Sequence, residues 1–531
     1  MHNSTVINNS ESWDIYRIDP TEDLFTEEVI KNEINNDPIP KESDFNGLYD
    51  TLLTKEMTPS STDTSMSSSE ENLFIDDLKL PKRITINKKR IKRIKRSTNQ
   101  RIIMFVHSLL STMLSLSVLL VFVIIAIYKT SKTLLFDTFI YKNLRPHEDL
   151  LEVPDELLTQ DETYYADRWG YTSEMHQVVT KDGYVLNMYR IYKKTLNLKR
   201  PVMIGHGLFQ CSGAFVLNEE RSLAFTLSDE GYDVWVGNNR SITGYDHISL
   251  SHKDPEYWNW GLKELGVYDF CAMIEYIKEY TGFSKVAYIG HSQGNAQAFI
   301  ALKLCPDIKD SLSCFVALAP AVFSGDLVKK FPLCLLINLS DWIYTLMFGK
   351  TSFLPIMKLV QTMIEPRIFS FLAYSMFSYL FNWWDNHWLR RRKVKYFQFT
   401  PRPVSARLIS DWLAGWGRKG TLLYVADKEQ EDDDTKKDTT KKVPLIVFYG
   451  TSDYLVNGER FVRTFPGYEN HGLGEQSPPV NDSRPLFSML NLVQVERLVG
   501  YEHMDTIWGH DNHKTTYPII LKNLKNIKEW N

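Results

Sequence analysis

Gly290-His291-Ser292-Gln293-Gly294, preceded by Lys285-Val286-Ala287-Tyr288-Ile289 and followed by a helix-permissive run from Asn295 to Lys303, reads as strand, sharp turn and helix. A Gly-X-Ser-X-Gly turn needs glycine on both sides, because a side chain there would clash where the backbone reverses and the serine is forced into a strained conformation. The strain lifts the serine Oγ clear of the sheet. The helix that follows points its N-terminus at that oxygen, so negative charge developing nearby meets the positive end of the helix dipole. Ser292 is therefore the candidate nucleophile.

A serine hydroxyl attacks poorly unless a base takes its proton, and that base must be held in one tautomer by a carboxylate. Val443 to Gly450 reads as a buried strand, and Thr451-Ser452-Asp453 follows its C-terminal end, where catalytic groups gather in open α/β sheets. Val493 to Val499 leads in the same way into Gly500-Tyr501-Glu502-His503-Met504-Asp505. The order Ser292, Asp453, His503 is that of α/β-hydrolases and differs from both common serine-protease orders. Asp505 is the rival acid, ranked lower because a neighbour on the same loop reaches the far ring nitrogen poorly; Asp427 ranks lower still. For the oxyanion, the expected backbone donors are the N–H of Gln293, next after the nucleophile, and that of Leu208 in His206-Gly207-Leu208, which follows the strand Pro201 to Ile204.

Outward from these segments the chain alternates strand and helix. Met175 to Thr180 and Tyr184 to Tyr192 flank Asp182-Gly183 as a hairpin. Leu223 to Glu230 reads as a helix, Tyr232 to Val236 as a strand, and Leu262 to Tyr280 as a long amphipathic helix leading back to the serine turn. Cys314 to Ala321 is a further strand. This rhythm predicts an α/β fold, a mostly parallel central sheet with helices on both faces, over residues 161–322 and 416–531. Residues 323–415 carry no strand pattern but a dense aromatic stretch, Ile368 to Trp384, and then Arg390-Arg391-Arg392-Lys393. They predict a helical cap over the site. Phe369, Phe371, Leu372, Tyr374, Met376, Phe377, Tyr379, Leu380 and Phe381 are too many for one helix face, so part of this stretch is expected to meet lipid, with Arg390 to Lys393 among headgroups. The run from Asp427 to Lys442 reads as a charged surface loop.

The N-terminal region differs in kind. Residues 1–80 are rich in Ser, Thr, Asn, Asp and Glu and cannot bury enough apolar surface to offset ordering, which predicts a disordered tail. A basic segment, 81–101, holds ten Lys or Arg residues and no acidic one from Lys82 onward. Ile102 to Tyr128 then contains no Asp, Glu, Lys or Arg, which predicts a single transmembrane helix, too far from the start for a cleaved signal peptide. Lys129, Lys132, Lys142 and Arg145 are sparser, so the positive-inside rule predicts a cytosolic N-terminus and a translocated catalytic domain, joined by a linker over 129–160. Asn338-Leu339-Ser340 and Asn481-Asp482-Ser483 are glycosylation acceptors only in that orientation. The formal net charge of -4 sums uneven regions and gives no reason to expect a nucleic-acid partner. Cys211, Cys271, Cys305, Cys314 and Cys334 make an odd count without metal-ligand spacing.

Asp182-Gly183-Tyr184, His206-Gly207-Leu208, Gly231 to Arg240 with its Trp235-Val236-Gly237-Asn238-Asn239-Arg240, Gly290 to Gly294, Leu318-Ala319-Pro320 and Tyr501 to Gly509 together resemble the acid lipase family of α/β-hydrolases over about residues 160–525. Within it, the apolar span, Phe348 to Phe353, Phe369-Ser370-Phe371, Tyr379-Leu380-Phe381 and Trp383 to Trp388 resemble the membrane-anchored fungal steryl ester hydrolases. The resemblance implies a serine esterase with the triad Ser292, Asp453 and His503, a lipid-binding cap, a steryl ester or acylglycerol substrate, contact with membrane lipid, and no metal or organic cofactor. The competing readings are a triacylglycerol lipase and an inactive lipid-binding or adaptor protein. Ser241 departs from the family's usual Gly, and Asn295-Ala296 from its common Thr-Thr. The first of these bears on the shape of the neighbouring loop.

Overall fold

The computed structural model describes residues 96–140, 156–194, 200–417, 421–425, 442–472 and 487–530. The expected tail over 1–80, the basic residues up to 95, the charged loop at 427–441 and the acceptor Asn481 lie outside the described residues.

Eight strands form one sheet: β1 (Thr172–Val179), β2 (Val185–Tyr192), β3 (Pro201–Gly205), β4 (Asp233–Gly237), β5 (Val286–His291), β6 (Leu312–Leu318), β7 (Val443–Gly450) and β8 (Leu490–Leu498). Their order is β1-β2-β4-β3-β5-β6-β7-β8. The hairpin β1–β2 is antiparallel and joins antiparallel to β4, and every later pairing is parallel. Strands β3, β4, β5 and β6 are buried at every residue, as a parallel sheet covered on both faces requires, which is why their sequences are apolar runs without alternation. In register, Gly205 lies beside Gly290, His291 beside Leu318, and Leu318 beside Phe448. The C-terminal ends of β3, β5, β6 and β7 therefore finish side by side and present their loops at one edge.

The expected helix over Leu262 to Tyr280 is continuous but not uniformly α: Leu262–Glu264 opens it, Leu265–Phe270 winds as a π turn and Cys271–Thr281 completes it. The π turn sits where Gly266 meets the helix after the serine turn; a Cβ there would lie 2.8 Å from the Gln297 carbonyl oxygen. Asp269, inside the turn, pairs with fully buried Arg240 at 2.7 Å, and Arg240 also pairs with Asp182 in the β1–β2 turn. That ties the hairpin to the core. Ser241 next to it adopts φ +67°, a left-handed backbone for which glycine is the low-cost residue, and its Oγ donates to Tyr257 Oη at 3.1 Å. The loop thus keeps the glycine-like shape despite the substitution.

Residues 323–415 are helical among the described residues, with Asp341–Phe348, Ile356–Met363, Pro366–Phe381, Lys393–Phe399 and Ala406–Gly417 as the main helices. The aromatic stretch divides between core and surface. Phe369, Tyr374, Phe377 and Phe381 are buried, whereas Ile368 and Phe371 on the same helix are exposed, with Phe331, Leu335, Trp342, Leu359 and Met363 exposed nearby in sequence. The expected headgroup cluster turns largely inward: Arg392 is fully buried with its Nε donating to the Leu217 carbonyl and its guanidinium paired with Glu156. Arg391 pairs with Glu219 at 2.6 Å and Lys393 with Asp385 at 2.9 Å. Arg391, Arg392 and Lys393, mostly buried and held by specific carboxylates, are structural and do not face lipid headgroups, whereas Arg390 is exposed.

The apolar helix runs from Thr98 to Ile140, so residues 129–140 of the expected linker continue it. Its Thr98–Thr133 portion is long and apolar enough to cross a membrane. It lies against the cap. Thr130 donates to the Ser375 carbonyl at 3.3 Å, Phe122 meets Phe331 edge-on, and Arg96, just before the helix, pairs with Asp254 at 2.6 Å and with Glu256. Its contact stripe carries small residues, Ser111, Ser115, Ala126 and Thr130, which allow close approach, while Ile103, Phe105, Met113, Leu120 and Ile124 face outward.

Candidate active site

Three loops at the C-terminal edge of the sheet bring the sequence-expected residues together. Ser292 follows β5 directly and holds φ +53°, ψ −116°, a conformation that L residues avoid. The flanking glycines are sterically required: a Cβ at 290 would lie 2.3 Å from Asn295 Oδ1, and one at 294 would lie 2.6 Å from the Gly205 carbonyl oxygen. The helix that opens at Gln293 runs to Leu304 with its N-terminus beside Ser292. His503 Nε2 lies 2.8 Å from Ser292 Oγ, and His503 Nδ1 lies 2.8 Å from Asp453 Oδ2. In that line Nδ1–H donates to Asp453, which leaves Nε2 to accept from the serine hydroxyl. Asp453 is itself fixed, since its Oδ1 accepts from the N–H groups of Leu455 and Val456 at 2.9 and 3.1 Å. Both His503 and Asp453 side chains are almost wholly buried.

Asp505 does not compete for the ring. Its oxygens accept from Trp388 Nε1 at 3.0 Å and from the Glu502 N–H at 2.7 Å. Burial pushes its carboxyl up to about 8, and burial together with the nearby Asp505 pushes Glu502 up to about 9. Two neighbouring carboxyls are thus held toward their neutral forms, and Asp453 is the carboxylate that faces His503.

The turn after β3 approaches the serine closely, for a Cβ on Gly207 would lie 3.0 Å from Ser292 Cβ. The turn is pinned by Gln210, whose Oε1 accepts from the Gly207 N–H at 2.8 Å and lies 3.1 Å from His291 Nδ1. His206 Nε2 accepts from the Asn239 N–H at 3.2 Å, while burial pulls its imidazole down to about 4 and so keeps it neutral. Leu208 lines the same cavity as Ser292, and Gln293 is the first residue of the helix. The positions expected for oxyanion donors therefore flank the serine. His206 and His291 stand inside the quoted motifs without a role being read for them, and Gln210 carried no sequence signal beyond its place beside one.

What sequence reasoning missed most is how the cap closes the site. The cavity at Ser292, bounded by Phe381, Trp383 and Trp412, has a volume of about 20 Å³, room for roughly one water. Trp383 stacks on His503 with centroids 5.6 Å apart and planes 11° from parallel, and Phe377 and Phe381 pack behind it. A lipid ester enters only after this aromatic cover moves.

A strained serine at a strand-to-helix turn, hydrogen-bonded through histidine to a buried carboxylate just past the end of β7, defines a carboxylic ester hydrolase of the α/β-hydrolase fold. Similarity places the chain more narrowly. Residues 163–219 match the partial α/β-hydrolase lipase region and residues 200–336 the α/β-hydrolase fold family. Sterol esterase 2 of Saccharomyces cerevisiae is 31% identical over 428 residues, covering 72% of this chain and 75% of its own. Gastric triacylglycerol lipase of Rattus norvegicus is 29% identical over 371 residues, 66% of this chain and 87% of that one. Lipase member K of Homo sapiens is 41% identical over a shorter stretch of 197 residues, 35% of this chain and 48% of that one. The chain belongs to the lipase family of α/β-hydrolases and is a lipid ester hydrolase.

Proposed function

We propose that this protein is a membrane-anchored serine esterase that hydrolyses steryl esters to sterol and fatty acid through an acyl-enzyme. The observation that carries the catalytic part is the unbroken line Asp453–His503–Ser292 at 2.8 Å per link. Ser292 Oγ attacks the ester carbonyl as His503 Nε2 takes its proton, and the oxyanion faces the backbone N–H groups of Leu208 and Gln293. Collapse expels the sterol oxygen, which receives the proton from His503. Water then attacks the acyl-enzyme with His503 again as base, releasing the fatty acid. Asp453 holds the ring in the tautomer both steps need. The steryl preference is supported by the sterol esterase from yeast, which aligns over most of both chains. Triacylglycerol hydrolysis is the second reading, favoured by the gastric lipase similarity. The test is kcat/KM for steryl oleate against trioleoylglycerol, both in mixed micelles with the purified full-length enzyme: a higher value for the steryl ester supports the proposal, and a clear excess for the triacylglycerol selects the second reading.

Anchoring rests on the helix Thr98–Ile140, whose outward face from Ile102 to Tyr128 is apolar and needs lipid to cover it. A helix pinned at Arg96 as well as at Thr130 would place both of its ends beside one domain. A span with the catalytic domain translocated therefore requires the Arg96 pairs, and the packing of Ser111 and Ser115 on the cap, to open. These pairs are partly exposed and worth about 0–1 kcal/mol each, small beside the gain from covering the twelve exposed apolar side chains from Ile102 to Tyr128 with lipid at ~0.3–0.6 kcal/mol apiece. The contacts nearer the domain, Phe122 with Phe331 and Thr130 with Ser375, then hold the cap against the bilayer face.

A further inference from the structure

Apart from the catalytic cavity there is a larger, open-mouthed one of about 310 Å³, at the low end of the range for small-ligand sites. Phe209 is a wall of both. It immediately follows Leu208, adopts φ +62°, packs on Phe353 and Phe377, and its carbonyl accepts from the Arg402 N–H at 2.7 Å. The remaining walls are mostly apolar, with Trp258, Met357 and three prolines, yet Arg402, Lys253 and Lys358 also line the cavity and no carboxylate does. The Arg402 Nε is fully buried without a hydrogen-bond partner, although its Nη1 donates to Gln160 at 3.1 Å. Of the acidic groups that act on it, burial pushes the Cys211 thiol up and holds Glu162 toward its neutral form, so neither supplies a full countercharge. Lys358 rests on Tyr245, 4.7 Å above the ring, and burial together with repulsion from Arg402 lowers its affinity for a proton. Three cations around an apolar chamber, without an acid among them, leave a position for an anion attached to a hydrocarbon.

We propose that this chamber binds an anionic single-chain amphiphile, its head on Arg402, Lys253 and Lys358 and its chain along Phe353 and Trp258 toward Phe209. A neutral ester gains nothing from the three charges, so this is not the substrate position. Two sources share the chemistry: the fatty acid released at Ser292, which rests on the lipid-ester reading, and an anionic membrane lipid, which does not.

The test is equilibrium binding of oleate, oleyl phosphate and oleyl alcohol to the full-length protein in neutral detergent. It is done in the Ser292→Ala background, so that binding is read independently of turnover and stands or falls apart from the catalytic assignment. Oleate or oleyl phosphate should bind at least about tenfold more tightly than the alcohol, and Lys253→Glu with Lys358→Glu should abolish that preference while leaving the thermal midpoint unchanged. Tighter oleate identifies the product acid as the source, and tighter oleyl phosphate the membrane lipid. Equal binding of the alcohol, or full oleate affinity in the charge-reversed variant, overturns the proposal. Arg402→Gln supplies an independent check: it should weaken both anions and spare the alcohol.

Discussion

Asp453→Asn isolates the role of the carboxylate without changing the size of the side chain. The retained carbonyl oxygen can still accept from the N–H groups of Leu455 and Val456, so the loop has no reason to move. The new amide NH2 replaces Oδ2, which now lies 2.8 Å from His503 Nδ1. An NH2 there forces Nδ1 to accept, which puts the ring proton on Nε2, facing Ser292 Oγ. A protonated Nε2 cannot take the serine proton, so the ring is held in the wrong tautomer. The expected loss in kcat is about 10⁴-fold, which at 1.36 kcal/mol per decade is about 5 kcal/mol of barrier. Asp505→Asn is the control. It touches no atom of the Ser292–His503 line and exchanges one of two acceptors, for Trp388 Nε1 and the Glu502 N–H, for a donor. That costs stability, about 1–3 kcal/mol for an unmet buried group, with turnover within about tenfold of wild type. Turnover of a short soluble ester by full-length protein, with thermal midpoints measured alongside, separates the two. A folded Asp505→Asn variant as dead as Asp453→Asn, or an Asp453→Asn variant near wild-type turnover, would refute the tautomer argument.

The other predictions address stability, docking and topology. Glu502 has its folded pKa raised to about 9 from the ordinary value of 4.5, so its contribution to stability is full below about 4.5 and is lost as pH rises through about 9; Glu502→Gln should flatten the fall of the thermal midpoint between pH 5 and 9, and an unchanged slope would assign it elsewhere. Phe371→Asp with Met363→Asp, both on the exposed apolar side of the cap, should lower activity on emulsified steryl ester several-fold and spare a short soluble ester, whereas Phe377→Asp, buried against Trp383, should lower both; the ratio of the two activities is the readout. Exposed Asn338 should carry an N-glycan if the catalytic domain is translocated, seen as a mobility shift on enzymatic deglycosylation; an unmodified Asn338, with the N-terminal tail rather than the catalytic domain protected from protease in sealed microsomes, reverses the orientation.

The parts of the fold readable from the sequence are those set by local steric demands. Gly290 and Gly294 announce the turn because neither position admits a Cβ, and Ser292 is strained by the same geometry. Asp453 and His503 were legible because each follows a strand, a buried apolar run before Asp453 and the half-exposed Leu490–Leu498 before His503, and strand ends are where an open sheet gathers its chemistry. The cap was legible as helical but not in its facing. Phe371 and Phe377 are chemically the same and sit on one helix; only the partners of Phe377, the rings of Phe209, Phe381, Trp383 and Phe397, decide that it is buried and Phe371 is not. Likewise Arg390 to Lys393 looked like a headgroup clamp because the partners that internalise Arg391 and Arg392, Glu219 and Glu156, lie far back in the chain. Trp383 over His503 is a contact between a cap and a core loop, and no local pattern encodes it.

The central claim is that lipid ester hydrolysis runs through Ser292 Oγ. The most direct measurement is steryl ester turnover by purified full-length Ser292→Ala against wild type, at matched thermal midpoints. The serine Oγ donates only to His503, so its removal should leave the fold in place and cut turnover by about 10³-fold or more. A correctly folded Ser292→Ala enzyme that still hydrolyses steryl ester within tenfold of the wild-type rate would contradict the account.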